Sequence, residues 1–197
     1  MAASQWKSTL YASDQFVEAC GAVVFDTSTS PSPSPSSPAQ EQPPRKVLLL
    51  HYTPLNEWLL PKGRRNCSEP RPVTAVREVL EESGYAVRLC PLTMATRAPS
   101  ALEPADVRDV PRTYEALTEP FVLDFRELGG GDGVKLVWWY IAELEGVEGG
   151  VGKGEEGFEA RWFPCAEAVE RLTFRQDREV LERALGIVGV AATGREG

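Results

Sequence analysis

Short runs of apolar and β-branched residues punctuate the chain. Residues 19–26 (ACGAVVFD) and 46–52 (KVLLLHY) each predict a strand, as do 119–125 (EPFVLDF), 134–143 (VKLVWWYIAE) and the short run FEARWF near residue 160. The stretch 86–97 predicts strand interrupted at Pro91, because proline has no N–H to give a ladder. Residues 70–83 change to the helical period. Pro70 and Pro72 fall near the first turn, where a missing amide hydrogen costs little, and Gly84 is placed to close the C-terminus. Val76, Val79 and Leu80 then form an apolar stripe for the core, with carboxylates on the other side. Residues 164–185 predict helix in two pieces, AEAVERL and DREVLERAL, parted near TFRQ.

The breaks between these elements set the domain organisation. The Ser/Pro tract at 27–44 has almost nothing to bury and cannot form a ladder, so it is expected to be a disordered insertion between two strands. Residues 17–187 then make one domain, with a flexible leader at 1–16 and a tail at 188–197. GGGDG and GVEGGVGKGEEG bracket the strand at 134–143 as loops. A G-x-G-x-x-G match at Gly152, Gly154 and Gly157 precedes a strand instead of a helix, so it reads as loop and not as a dinucleotide fingerprint.

Composition narrows the function classes. The formal net charge of -8 argues against a protein that coats nucleic-acid phosphates or an anionic membrane, so neither polymeric nucleic acid nor membrane is an expected partner. Cys20, Cys67, Cys90 and Cys165 are scattered without metal-ligand spacing and read as thiols. No run approaches the roughly 20 apolar residues that span a bilayer, and no signal-peptide core is present, so an intracellular protein, cytoplasmic or nuclear, is expected. His51 is the only histidine and reads as a strand-end residue with a structural hydrogen bond. Trp138, Trp139 and Tyr140 alternate across their strand and read mainly as core, with base stacking as the functional alternative. Arg97 and Arg112 read as surface arginines, with phosphate contact as theirs.

The chemistry concentrates in WLLPKGRRNCSEPRPVTAVREVLEESGY, residues 58–85. On a helix, Glu78, Glu81 and Glu82 share one arc, and Glu78 with Glu82 is a like-charged i,i+4 pair that costs a few tenths of a kcal/mol. A hard divalent cation would compensate, since Mg²⁺ takes oxygen ligands and shares its shell with substrate phosphates. Just upstream, Pro61 and Gly63 are expected to bend the backbone toward the helix, leaving a free carbonyl. Lys62, Arg64 and Arg65 could hold phosphate oxygens there.

Gly63, five residues, Glu69, seven residues, Arg77-Glu78-Val79, one residue, Glu81-Glu82, one residue and Gly84 together resemble the Nudix box, the signature of the Nudix hydrolase family. Tyr85 departs from that form, in which a bulky aliphatic residue is usual. The resemblance implies an α/β fold, an α/β/α sandwich around a mixed β-sheet. It also implies metal-dependent hydrolysis of a small phosphorylated substrate. Glu78, Glu81 and Glu82 would bind Mg²⁺ or Mn²⁺, with the Gly63 carbonyl as a further ligand. Arg77 would orient a glutamate, with Glu69 in the same network, and Glu78 or Glu82 would serve as base. A further acidic ligand is expected from Glu155, Glu156 and Glu159, of which Glu156 is preferred. Trp-Leu-Leu-Pro-Lys-Gly is similar to the dinucleoside polyphosphate hydrolases, which makes diadenosine tetraphosphate the first expected substrate. A diphosphoinositol polyphosphate is the alternative, and a catalytically inactive nucleotide-binding module is the alternative of another class.

Overall fold

The computed structural model describes residues 7–26, 46–104, 106–131, 133–145 and 152–189. The Ser/Pro insertion, residues 1–6 of the leader, residues 146–151 of the second glycine-rich loop and the tail from residue 190 lie outside them.

Two long strands form the spine. β1 (Phe16–Asp26) and β9 (Val134–Leu144) run parallel, paired from Phe16 with Val134 to Phe25 with Glu143. Both read as nearly continuous apolar runs because both of their faces are covered. Antiparallel neighbours extend the sheet on either side: β2 (Lys46–Tyr52), β10 (Phe158–Pro164) and β5 (Val87–Leu89) at one end give the order β10-β2-β1-β9-β5. At the other end β4 (Lys62–Arg64) pairs with β1 and β8 (Val122–Glu127) pairs with β9. β3 (Glu57–Leu59) adds to β2, and β6 (Leu92–Thr96) with β7 (Arg112–Leu117) makes a separate two-stranded sheet. The sheet is therefore mixed.

Helices cover the two faces. α1 (Arg71–Ser83) packs Ala75 and Val79 against Cys20, Ala22, Val24, Leu48, Val87 and Tyr140. On the opposite face α2 (Cys165–Arg171) and α3 (Arg175–Ile187) bury Ala168, Val180, Leu181, Ala184 and Leu185 against Val23, Leu49, Val137 and Trp139. Each large apolar side chain buried in this way is worth about 1.5–3 kcal/mol, which is why both layers hold. The α/β/α sandwich is thus present. Gly21 lets the layers close. A Cβ there would lie 2.4 Å from the Pro61 carbonyl and 2.7 Å from the Trp139 ring.

Several elements differ from expectation. The segment around Pro61 and Gly63 is not simply a turn, because Lys62–Arg64 is a strand, with Gly63 opposite Cys20. β3 and β7 lie outside the strands the sequence predicts, and Pro91 separates β5 from β6, which lie in different sheets. On α1 the apolar stripe is displaced. Leu80 is 45% exposed, whereas Glu78 and Glu82 are each only 8% exposed and face the sheet beside Ala75 and Val79. The carboxylates therefore lie on the packed side of the helix and not on its outer side. Tyr85, the departure from the box, packs against the α1-side core with its ring edge-on to Trp162 at 5.5 Å. No helix among the described residues is long and apolar enough to cross a membrane.

Candidate active site

β4 organises the site because its three residues alternate across the sheet. Lys62 and Arg64 stand opposite Gly21 and Ala19, on the face that carries α3, while Gly63 stands opposite Cys20, on the face that carries α1. Gly63 faces the Glu78 carboxylate at such close range that a Cβ would fall 1.8 Å from Glu78 Oε2. Its role is close approach, not a bend: its φ is not among the positive values, which fall elsewhere, including Gly84 at 76°. One residue earlier, the Lys62 N–H donates to Glu82 Oε2 at 2.8 Å. The strand thereby holds Glu82 by a backbone hydrogen bond and leaves room for Glu78 by lacking a side chain at Gly63.

Arg77 gathers the remaining carboxylates. Its Nε donates to Glu69 Oε1 at 2.7 Å and its Nη2 to Glu69 Oε2 at 3.0 Å, a two-point contact that lysine could not make. Its Nη1 reaches Glu78 Oε1 at 2.8 Å and Glu81 Oε2 at 2.7 Å, and Nη2 also donates to the Arg64 carbonyl at 3.0 Å. Glu69 in turn accepts from the Asn66 N–H and the Thr74 hydroxyl, which ties the loop to the helix. The Arg77 hydrogen bonds, helped by these donors, hold Glu69 down at about 2.

Glu78 and Glu82 have the opposite electrostatics. Burial lifts Glu82 from 4.5 to about 8, the Lys62 charge and N–H oppose the rise, and Glu78 and Glu155 add to it. Burial likewise raises Glu78, against the pull of Arg77. The folded chain consequently binds the Glu82 proton more tightly than the unfolded chain does. Its contribution to stability is complete below 4.5 and is lost as pH rises through about 8. In metal-free buffer the Tm is expected to fall across that interval, and Glu82→Gln to flatten the fall. The same slope in wild type and variant, measured by thermal unfolding, would contradict this electrostatic picture.

The donor set fits a hard divalent cation. All its atoms are oxygens, and two of its carboxylates are withdrawn from water with too little positive charge facing them. Among the described residues no three His, Cys, Asp or Glu side chains close around a single point. Arg77 instead takes up the space between Glu69, Glu78 and Glu81.

Not every expected residue converges. Glu81 has a side chain 53% exposed and pairs with Arg77. Arg65 is drawn to Glu18, with Nε 2.9 Å from Oε2, and Arg71 takes the other Glu18 oxygen. Glu156 is exposed on the loop 152–157. Its neighbour Glu155 is the carboxylate that Glu82 feels, because the Glu155 N–H donates to the Glu81 carbonyl at 2.8 Å and docks the loop on the end of α1. The glycines of that loop serve the docking. A Cβ on Gly154 would lie 2.5 Å from the Glu82 carbonyl, and Gly152 N–H caps the Gly84 carbonyl at 2.8 Å.

Three groups near the site carry no signal in sequence. Lys135 on β9 and Arg126 on β8 are register partners, and Asp177 in the first turn of α3 is almost fully buried beside them. The other candidates lie in contacts within the fold. Trp139 is fully buried, and Trp138 donates to Glu18 beneath the Arg71 guanidinium, 4.2 Å from its ring centre. His51 stacks on Trp58 and meets Asn56 Oδ1 at 2.8 Å, while Arg97 pairs with Asp109 and Arg112 with Glu103.

Known proteins resemble this chain in sequence and in fold. A family model of the NUDIX domain matches residues 39–184. A curated relative, the 8-oxo-(d)GTP phosphatase of Mycolicibacterium smegmatis, is 27% identical over 177 residues, covering 90% of this chain and 44% of that protein. The chain thus spans less than half the length of that relative. Among solved structures, a Caenorhabditis elegans Ap4A hydrolase in a binary complex superposes with a TM-score of 0.54 at 18% identity, covering 88% of this chain and 98% of that one. A NUDIX hydrolase from Nitrosomonas europaea does so with a TM-score of 0.52 at 15% identity, covering 86% and 88%. At such identities these likenesses establish the fold alone. The family-model match spans the box, α1 and most of the sheet, and the chain belongs to the NUDIX domain family.

Proposed function

We propose that this chain is a metal-dependent pyrophosphohydrolase that cleaves a phosphoanhydride bond in a small nucleotide-like molecule, with dinucleoside polyphosphates such as diadenosine tetraphosphate as its first substrate class. The observation that carries the reading is β4. On one side of that short edge strand stand two buried carboxylates, and on the other stand Lys62 and Arg64. An anhydride laid across the strand would meet acid–base groups and cations together.

Glu78, Glu82 and the Gly63 carbonyl would hold Mg²⁺ or Mn²⁺, with Glu81 and a loop carboxylate, Glu156 or the nearer Glu155, completing the set. When bound, the cation supplies Lewis acidity at a phosphoryl oxygen and lowers the pKa of water. Glu78 or Glu82 takes the proton of the attacking water. Arg77 keeps Glu78 oriented by its hydrogen bond to Oε1. Lys62 and Arg64 neutralise phosphate oxygens, whereas Arg65 holds the loop through Glu18.

The name of the mycobacterial relative favours a second reading, a modified nucleoside triphosphate. A diphosphoinositol polyphosphate is favoured instead by the number of cations on the α3 face. The test is a hydrolysis panel with Mg²⁺ over diadenosine tetraphosphate, 8-oxo-dGTP, an inositol pyrophosphate and a nucleotide sugar, with products identified by phosphorus NMR. Turnover of diadenosine tetraphosphate that stops in EDTA is expected. Absence of metal-dependent hydrolysis throughout the panel overturns the proposal and favours an inactive binding module.

A further inference from the structure

The basic character of β4 continues across the sheet. Reading the register along the α3 face, Lys62 is opposite Gly21, and Arg64 is opposite Ala19. Ala19 is opposite Val137, and Val137 is opposite Asp124. One pleat further, Val17 is opposite Lys135, which is opposite Arg126. Alternation places Lys62, Arg64, Lys135 and Arg126 on the face shared by Val137 and Trp139, at the end of the sheet where the helix layer begins with α3. Four strands, β4-β1-β9-β8, span about 14 Å at the usual interstrand spacing, which is wide for one phosphate and suited to a chain of them.

The cations there are undercompensated. Lys135 is pulled below its ordinary range first by burial and then by Lys62, Arg126 and Arg64. Asp124 takes the Arg126 Nε at 2.7 Å, and Asp177 Oδ1 lies 3.8 Å from its Nη2. Asp177 also accepts the Leu60 N–H, which anchors the segment that presents Lys62, yet its Oδ2 has no hydrogen-bond partner among the described residues although the side chain is only 3% exposed. Asp177 acts on Lys62 as well as on Arg126, and Glu82 acts on Lys62 and Lys135, yet on the α3 face the four cations Lys62, Arg64, Lys135 and Arg126 still outnumber the carboxylates Asp124 and Asp177. An excess of positive charge on one face costs free energy that an entering anion relieves. Beside Arg126 a cavity of about 420 Å³, lined by Asp124, Phe125, Arg126, Phe174 and Gln176, opens between β8 and α3.

We propose that Lys135 and Arg126, together with Lys62, form a second anion subsite on the α3 face that takes the phosphates remote from the bond being cleaved. The preferred ligand therefore carries a chain of three or more phosphates, not an isolated diphosphate. Asp177 is the positioning residue of this subsite. The inference rests on the pyrophosphohydrolase reading for its function, but its test does not require turnover.

Binding of inorganic tripolyphosphate and of pyrophosphate is measured by titration calorimetry in EDTA on the full chain. The wild type is expected to bind tripolyphosphate about tenfold more tightly than pyrophosphate. Lys135→Met is expected to lower tripolyphosphate affinity about tenfold and pyrophosphate affinity less than about twofold, as the loss of one charge-assisted contact predicts. Lys46→Met, on β2 opposite Asp26 at the far end of β1, is the control and leaves both unchanged. Arg126→Gln repeats the measurement should Lys135→Met fail to fold. Equal losses for both anions, equal effects of the Lys135 and Lys46 variants, or no wild-type preference for the longer chain each overturn the subsite. Metal-dependent hydrolysis combined with any of these leaves the hydrolase reading standing. A chain-length preference without hydrolysis in the panel does the reverse.

Discussion

Replacing Glu82 with Gln is expected to lower turnover about a thousandfold, within the usual range for losing a positioned acid–base group, while leaving the fold intact. The separation of the two effects follows from geometry. Glu82 accepts the Lys62 N–H at 2.8 Å, and a glutamine carbonyl oxygen at the same place accepts it equally well, so β4 keeps its seat on α1. What disappears is a charge that burial already disfavours. The variant is therefore expected to be as stable as the wild type in metal-free buffer, or more so toward higher pH, although it should turn over little. Thermal unfolding and the rate of phosphate or nucleotide release, followed with the same substrate and cation, check both halves. An unchanged rate in a folded variant would remove Glu82 from the chemistry, and a collapse of stability would show that its charge is structural.

The helix that carries Glu82 was legible from sequence because its signals are local. Pro70 and Pro72 begin it, Gly84 ends it with φ of 76°, and the spacing of Arg77, Glu78, Glu81 and Glu82 lies within two turns. Which side of it would be packed was not legible. Counting apolar residues favoured Val76, Val79 and Leu80, but the space above Gly63 accepts carboxylates, so the helix turns Glu78 and Glu82 inward and leaves Leu80 out. Lys-Gly-Arg carries no strand propensity either. Those residues become β4 because β1 offers unpaired backbone there, a tertiary effect that overrides local preference. The same holds more strongly for Lys135, Arg126 and Asp177. They are distributed over two strands and a helix, and only the register of β8 on β9 and the placement of α3 bring them beside Lys62. Glu155 and Glu156 are equivalent in sequence, and only the docking of their loop on α1 sets the Glu155 backbone against Glu81.

Gly63→Ala should be the complementary experiment, with a large loss of activity and a small loss of stability. The added methyl would meet Glu78 Oε2 at 1.8 Å and Glu78 Oε1 at 2.5 Å, distances that no side chain tolerates. The obstacle is the far end of a flexible glutamate, so it can rotate away. Rotation costs the Glu78 contact with Arg77 Nη1 and moves a buried carboxylate toward water, and since burial raises the Glu78 pKa, the move recovers solvation as it loses a hydrogen bond. A net cost of about 1 kcal/mol or less is expected from these opposing terms. Activity has no such compensation, because displacement of a reacting group by about 1 Å costs on the order of a hundredfold. Gly21→Ala provides the contrast. Its methyl would meet the Pro61 carbonyl at 2.4 Å, the Lys62 Cβ at 2.6 Å and the Trp139 ring at 2.7 Å, none of which can swing aside without moving β4 or the core. That substitution is expected to cost about 1–3 kcal/mol or more, as overpacking does. Measured together by denaturant unfolding and by turnover, the two variants distinguish a glycine required for the seat of a carboxylate from one required for the packing of the sheet. If Gly63→Ala instead unfolds the protein as readily as Gly21→Ala, then Glu78 is fixed by the fold and not free to yield, and the role assigned to β4 changes from presenting the carboxylate to supporting it.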